Sequence, residues 1–208
     1  EPMSETEPIS KAEARAQAQR ARILAAAKKC FVKHGFHAAS MASIAETAQM
    51  SPGLIYRYFE SKSEIILAII EQQLELARAE IAKLDGSYDL PLEIWKSAAA
   101  PTCENRMNPI LFLEMSSEAS RDPKIAAAVR SSDLILRADF CDWLSRSPEQ
   151  GGLGIPEPRN KAVGFLIQCI LEGLRVRMVR EPDMDLAVMK DALLTFLPRI
   201  LSPETEES

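Results

Sequence analysis

A chain of 208 residues with 47% hydrophobic and 26% charged side chains is long enough to bury a core without disulfide or metal staples, which excludes a fibrous or wholly disordered polymer. Its 8 glycines and its wealth of Ala, Leu, Glu, Arg and Lys favour helix over strand. The net charge of −5 hides an asymmetry: residues 11–62 carry nine Lys/Arg against three acids, a balance of +6, while residues 63–208 carry a balance of −8, so a polyanion suits one end of the chain only.

Residues 1–10 are polar, hold two prolines and are expected to be disordered. Lys11–His34 reads as one helix, because Ile23, Ala27, Cys30, Phe31 and His34 recur at spacings of three and four. Gly35 is expected to end it in the left-handed conformation. Two short helices follow. Met41–Ala48 takes Ser40 as its N-cap, and residues 52–59 take Ser51, with Pro52 at the first helical position. Ser61 then opens a long helix to about residue 84, with Ser61 and Glu64 as a capping box, and Asp85-Gly86-Ser87 breaks it. Further helices are expected over 90–103, 107–120, 123–145, 159–180 and 186–201. The stretch 147–158 (SPEQGGLGIPEP) reads as a flexible loop, and SPETEES closes the chain as an acidic tail. No segment alternates apolar and polar residues as a strand does.

The four cysteines, Cys30, Cys103, Cys141 and Cys169, are scattered. No CxxC pair or nearby histidine gives them ligand spacing, so they read as reduced thiols of a cytoplasmic protein, with no metal and no cofactor. No signal peptide and no membrane-spanning run is expected.

Residues 35–62, GFHAASMASIAETAQMSPGLIYRYFESK, have the pattern of a helix-turn-helix. Ile44, Ala45 and Ala48 on its first helix are expected to face Leu54, Ile55 and Tyr58 on its second. The small alanines let the two cross closely, and the rest of the second helix is left to enter a major groove. At these residues the chain resembles the TetR family of repressors. The resemblance runs through Gly35-Phe36, Ser40, Ile44-Ala45, Ala48, Ser51, Pro52-Gly53, Leu54-Ile55, Tyr56-Arg57-Tyr58-Phe59 and Lys62, about a quarter of the chain. One departure stands at Gln49, where the family usually has Gly. A non-glycine residue in a left-handed turn costs about 1 kcal/mol.

The resemblance implies an all-α fold of about nine helices: an N-terminal three-helix DNA-binding head over 11–62 and a C-terminal helical domain for ligand binding and dimerisation over 63–201, with tails at 1–10 and 202–208. In the head, Tyr56 and Tyr58 can donate hydroxyl hydrogen bonds to phosphate. Ser40 and Lys62 stand at helix N-termini, where backbone N–H groups favour anions, and Lys62 adds a charge. Arg57 can reach phosphate or a guanine edge. Ser51, Pro52 and Gly53 open the recognition helix, where approach to the bases is closest. Phe59 reads as core.

In the body, Val163, Ile167, Ile170 and Leu174 form one stripe, and Leu193, Leu197 and Ile200 another. The resemblance implies that these last two helices pair with those of a second copy in a four-helix bundle. Trp95, Met107, Phe112, Met115, Phe140, Trp143, Phe165 and Gln168 are candidates to line a pocket, with Glu114, Asp139 and Glu172 as further polar handles. Ordinary core is the alternative for each. The resulting expectation is a homodimeric repressor that holds a palindromic double-stranded DNA operator and is released by a small-molecule effector of unknown identity. The alternative is a helix-turn-helix DNA-binding protein with no small-molecule effector. An enzyme is not expected, because the chain has no P-loop, no G-x-S-x-G and no HExxH.

Overall fold

The computed structural model describes residues 10–99 and 107–202. These form nine α-helices and no strand. They divide into two compact units, one ending at Ile69 and one beginning at Ile70.

In the first unit, α1 spans Lys11–His34. Its first residues stay ordered because Ser10 and Glu13 cap each other. The Glu13 N–H donates to Ser10 Oγ at 3.2 Å, and the Ser10 N–H donates to Glu13 Oε2 at 2.9 Å. Ser10 therefore belongs to the helix start and not to the tail; residues 1–9 lie outside the described residues. Ile23, Ala27, Cys30 and Phe31 are buried, whereas His34 is exposed and drops off the stripe. Gly35 has the expected positive φ of 79°, but its ψ is 160°. That is an extended, essentially glycine-only conformation, not the left-handed helical one.

α2, Met41–Ala48, is capped by Ser40 in a reciprocal box with Ser43. Gln49 then takes the left-handed turn at φ 53° and ψ 47°. α3 covers Pro52–Tyr56 and ends before the expected position 59. The chain turns there because Phe59 is drawn into the core, where it is 2% exposed. α4, Lys62–Ile81, continues from the first unit into the second without a break. Ser61 Oγ accepts from the Glu64 N–H at 3.2 Å, as expected. The Glu64 carboxylate, however, accepts from the Glu60 N–H at 2.7 Å, so the capping pair is offset by one residue.

The second unit adds α5 (Leu90–Ala99), α6 (Pro109–Ala119), α7 (Pro123–Ser145), α8 (Arg159–Arg180) and α9 (Leu186–Leu201). The expected continuation of α5 to Cys103 and the acidic tail from 203 onward lie outside the described residues. Asn108, Asp122 and Asp185 cap α6, α7 and α9 through their side-chain oxygens. The core gathers Ile94 from α5, Phe140, Trp143 and Leu144 from α7, Val163 and Ile167 from α8, and Leu193 and Leu197 from α9.

The stretch 147–158 is not the flexible loop expected. It holds a 3₁₀ turn at Pro148–Gln150, and Ile155 is fully buried. The indole N–H of Trp143 donates to Gly151 O at 3.0 Å, and the Ile155 N–H donates to Leu144 O at 2.9 Å. A Cβ at Gly152 would lie 2.3 Å from the Arg146 carbonyl. Gly152 thus permits close backbone approach, and Gly151 and Gly154 supply the positive φ of 77° and 67° that the turn needs.

Candidate nucleic-acid interface and the helical body

The start of α3 is the most exposed face of the helix-turn-helix. Ser51 Oγ accepts from the Leu54 N–H at 3.3 Å. Ser51, Pro52 and Gly53 are exposed, and a Cβ at Gly53 would meet no atom within 4 Å. Packing therefore leaves that glycine free to lie against a partner. Tyr56 is 54% exposed and Arg57 is exposed beside it, while Tyr58 is half-buried. Ile55 is fully buried against α2, which fixes the orientation of α3. Ser40 stands exposed at the start of α2, with its hydroxyl accepting the Ser43 N–H at 3.0 Å.

Three basic side chains brace this face. Arg20 of α1 donates to Tyr58 O at 3.1 Å and stacks 4.4 Å from the centre of the Phe59 ring. Arg22 donates to Gln49 O at 3.3 Å, at the turn before α3. Lys62 is drawn inward from the position expected of it. Its Nζ donates to Phe36 O at 2.6 Å, His37 O at 3.2 Å and Ala39 O at 2.6 Å, and lies 4.7 Å from the centre of the Phe36 ring. Lysine has three donors and no acceptor. Here each donor faces a carbonyl of the loop that leads into α2, so its charge serves that loop. No sequence signal marks Arg20 or Arg22 for these roles, since their partners are backbone oxygens tens of residues away.

In the second unit the candidate pocket residues separate into two groups. Phe140, Trp143 and Met115 are buried in packing. Trp95 donates to Leu186 O at 3.2 Å, and Lys190 Nζ lies 4.6 Å from the centre of its ring. Asp139 accepts from Arg78 at 2.7 Å, and Met107 lies half-buried just before the cap of α6. Glu114 is half-buried on α6.

The second group forms a polar cluster between α7 and α8. Arg137 donates to Gln168 Oε1 at 2.8 Å, and Gln168 Nε2 donates to Glu172 Oε1 at 3.0 Å. The Arg137 guanidinium lies 5.2 Å from the centre of Phe165, and the Arg175 guanidinium 5.2 Å from the centre of Phe112. Burial pulls the Arg175 guanidinium down from its usual value, against the pull of Glu172 and Asp133. Burial pushes the Asp133 carboxyl up, Glu172 adds to that, and Arg137 and Arg175 oppose it. Arg137, Arg175 and Asp133 were absent from the expected set, because charged helix positions ordinarily read as solvated surface.

The expected pairing stripes lie differently. Val163, Ile167, Leu193 and Leu197 are 3 to 5% exposed and belong to the unit's own core, while Ile170, Leu174 and Ile200 pack partly buried against it. The large apolar side chains left exposed in this unit are Phe165 (55% exposed) and Leu166 on α8, Leu186, Val188, Leu194 and Phe196 (56% exposed) on α9, Leu134 on α7 and Ile110 on α6. Among the described residues no helix is long and apolar enough to cross a membrane, and no group of three His, Cys, Asp or Glu is placed to hold a metal ion.

Residues 23–69 match the family model described as bacterial regulatory proteins, tetR family. The chain is similar to the HTH-type transcriptional regulator UidR of Escherichia coli K12, with 33% identity over 138 residues that cover 66% of this chain and 69% of UidR. It is similar to the HTH-type transcriptional regulator TtgR of Pseudomonas putida, with 33% identity over 105 residues that cover 46% and 50% of the two chains. Among solved structures, Salmonella enterica GusR superposes with a TM-score of 0.71 at 26% identity, covering 94% of this chain and 97% of GusR.

Proposed function

The chain belongs to the tetR family of bacterial regulatory proteins and is a helix-turn-helix transcriptional regulator, and from this premise we propose that it is a cytoplasmic homodimeric repressor which leaves its operator when a small molecule occupies the second unit. The observation that carries the DNA contact is the exposed run Ser51, Pro52, Gly53, Tyr56 and Arg57 on a helix whose opposite face is buried at Ile55. Such a helix is held rigidly and fits a major groove. Tyr56 donates its hydroxyl to a phosphate, Ser40 with the N-terminus of α2 receives another, and Arg57 reaches a phosphate or a base edge. Tyr58 contributes at the margin. Lys62 acts at one remove, by fixing the loop that presents Ser40.

The exposed Phe165, Leu166, Val188 and Phe196 support self-association through α8 and α9. Exposed aromatic and branched apolar side chains on both helices suit a surface that a second copy covers. A two-fold dimer would present two recognition helices to half-sites about 34–36 Å apart. The cluster of Arg137, Gln168, Glu172, Arg175 and Asp133 between Phe112 and Phe165 supports an effector site, since aromatic walls and convergent polar groups are what a small polar ligand needs. The unbroken α4 is the element through which occupancy would reach the head.

The test is a fluorescence-anisotropy titration against DNA flanking the protein's own gene. Tyr56→Phe is expected to weaken binding by roughly 5- to 10-fold, the worth of a charge-assisted hydrogen bond. Undiminished affinity in both Tyr56→Phe and Arg57→Ala would remove α3 from the interface. An effector found by screening must lower DNA affinity by the factor by which DNA lowers effector affinity.

A further inference from the structure

Beyond the helix-turn-helix, α1 carries an exposed basic stripe, of which Arg22 alone has been given a task in the fold, its bond to Gln49 O. Lys11, Arg15, Arg22, Lys29 and Lys33 are all exposed. Their spacings of four, seven, seven and four place them within an arc of about 40° on a helix of 3.6 residues per turn. The one acid of α1, Glu13, points elsewhere on this wheel and is occupied by its cap. The stripe is about 33 Å long at 1.5 Å per residue, close to one turn of B-DNA.

A cleft of about 150 Å³ opens beside the middle of this stripe. Arg22 and Lys29 stand at it on α1, with Ala25 between them, and Thr47 and Gln49 close it from α2 and the turn. Its volume is below the roughly 300 Å³ of sites for drug-sized ligands. It equals the share of about five waters in the liquid, room for one phosphate group. The bond from Arg22 to Gln49 O ties this cleft to the turn from which α3 departs.

We propose that the α1 stripe is a second DNA-backbone contact, in which Lys29 and Arg22 seat one phosphodiester in this cleft while Lys11, Arg15 and Lys33 track the strand on either side; the Thr47 hydroxyl, donated to Ser43 O at 2.8 Å, only walls it. It reads no sequence. It adds salt-dependent affinity through counterion release and fixes the head against rotation about α3. The proposal rests on the DNA contact of the head described above.

The experiment uses the full chain and a fluorescent duplex of about 40 base pairs and arbitrary sequence, long enough for two half-sites with flanks on each side. Dissociation constants are measured across a salt series for the natural chain, Lys29→Ala, Ala25→Glu and, as a control of charge alone, Lys124→Ala in the second unit. Ala25→Glu puts a carboxylate into the cleft within ion-pair reach of Arg22 and Lys29, and an unchanged thermal midpoint in both head variants separates loss of the phosphate contact from a loosened turn. Lys29→Ala and Ala25→Glu are expected to lower the slope of log affinity against log salt by about 0.9 for each phosphate no longer neutralised, and Lys124→Ala to leave it unchanged. A natural slope in both head variants, or an equal fall in Lys124→Ala, overturns the proposal. If the natural chain binds no duplex at all, the DNA contact of the head fails, and the stripe fails with it.

Discussion

Replacing Lys62 with Met keeps the apolar stem and removes the ammonium group. Three carbonyls, at Phe36, His37 and Ala39, are then left without a charged donor, two of them at 2.6 Å and partly buried. A hydrogen bond to a charged group is worth about 1.5–3 kcal/mol, and solvent reaches the third carbonyl. The three share one ammonium, so their worth does not simply add; a total of about 2–3 kcal/mol is expected. For a domain of the head's size each kcal/mol moves the midpoint by about 4–8 °C, so Lys62→Met should melt the head roughly 8–24 °C lower. The assay pairs thermal denaturation with an anisotropy salt series at a temperature where the variant is folded. A lysine that serves the loop lowers the midpoint and leaves the salt slope intact. A lysine that neutralises phosphate does the reverse, and a natural midpoint with a reduced slope would refute this reasoning.

Two further outcomes follow from close approaches in the second unit. A Cβ at Gly164 would stand 2.5 Å from Cys141 Sγ, so Gly164→Ala is expected to cost about 1–3 kcal/mol in urea unfolding, and Cys141→Ala in the same chain to restore most of it. Additive losses would mean that the two side chains are not in conflict. Asp133 has its carboxyl pushed up, chiefly by burial and then by Glu172, so its ionised form is disfavoured more in the folded chain than in the unfolded one. That penalty is absent below the ordinary value of 3.8, grows as pH rises from there to the raised folded-state value, and is constant above it. Asp133→Asn should therefore gain stability relative to the natural chain as pH rises above 3.8, and a difference that is the same below and above that value would contradict the assigned cause.

Much of the architecture was legible because local rules agree with tertiary need. Ser40 and Ser51 cap where expected, and Ile44, Ala45, Ala48 and Ile55 are buried as their spacing implies. The capping box at Ser10 was equally legible, since Ser10 and Glu13 repeat the pattern that marks Ser61 and Glu64. Polar composition at the terminus hid it. Long-range packing was not legible. Periodicity places Val163, Ile167, Leu193 and Leu197 on apolar stripes, yet α8 is apolar on several sides. Spacing alone does not say which stripe meets the unit's own core and which is left for a second copy. The glycines of 147–158 misled for a related reason: a glycine that loosens a loop and one that lets two backbones touch have the same letter. The polar cluster around Arg175 escaped because burying a guanidinium depends on partners from three helices at once.

The hydrogen bond from the Trp143 indole to Gly151 O has a consequence for spectroscopy. The chain has two tryptophans, Trp95 and Trp143, and both lie in the second unit. Trp143 is 1% exposed and fully bonded, so its emission should be blue-shifted and should shift red when the 147–158 segment detaches. The head contributes no indole signal and is seen only through Tyr56 and Tyr58 and through helical dichroism. Indole emission therefore follows the second unit alone while helical ellipticity sums both, so a loss of ellipticity without a shift in emission marks unfolding of the head, without any label.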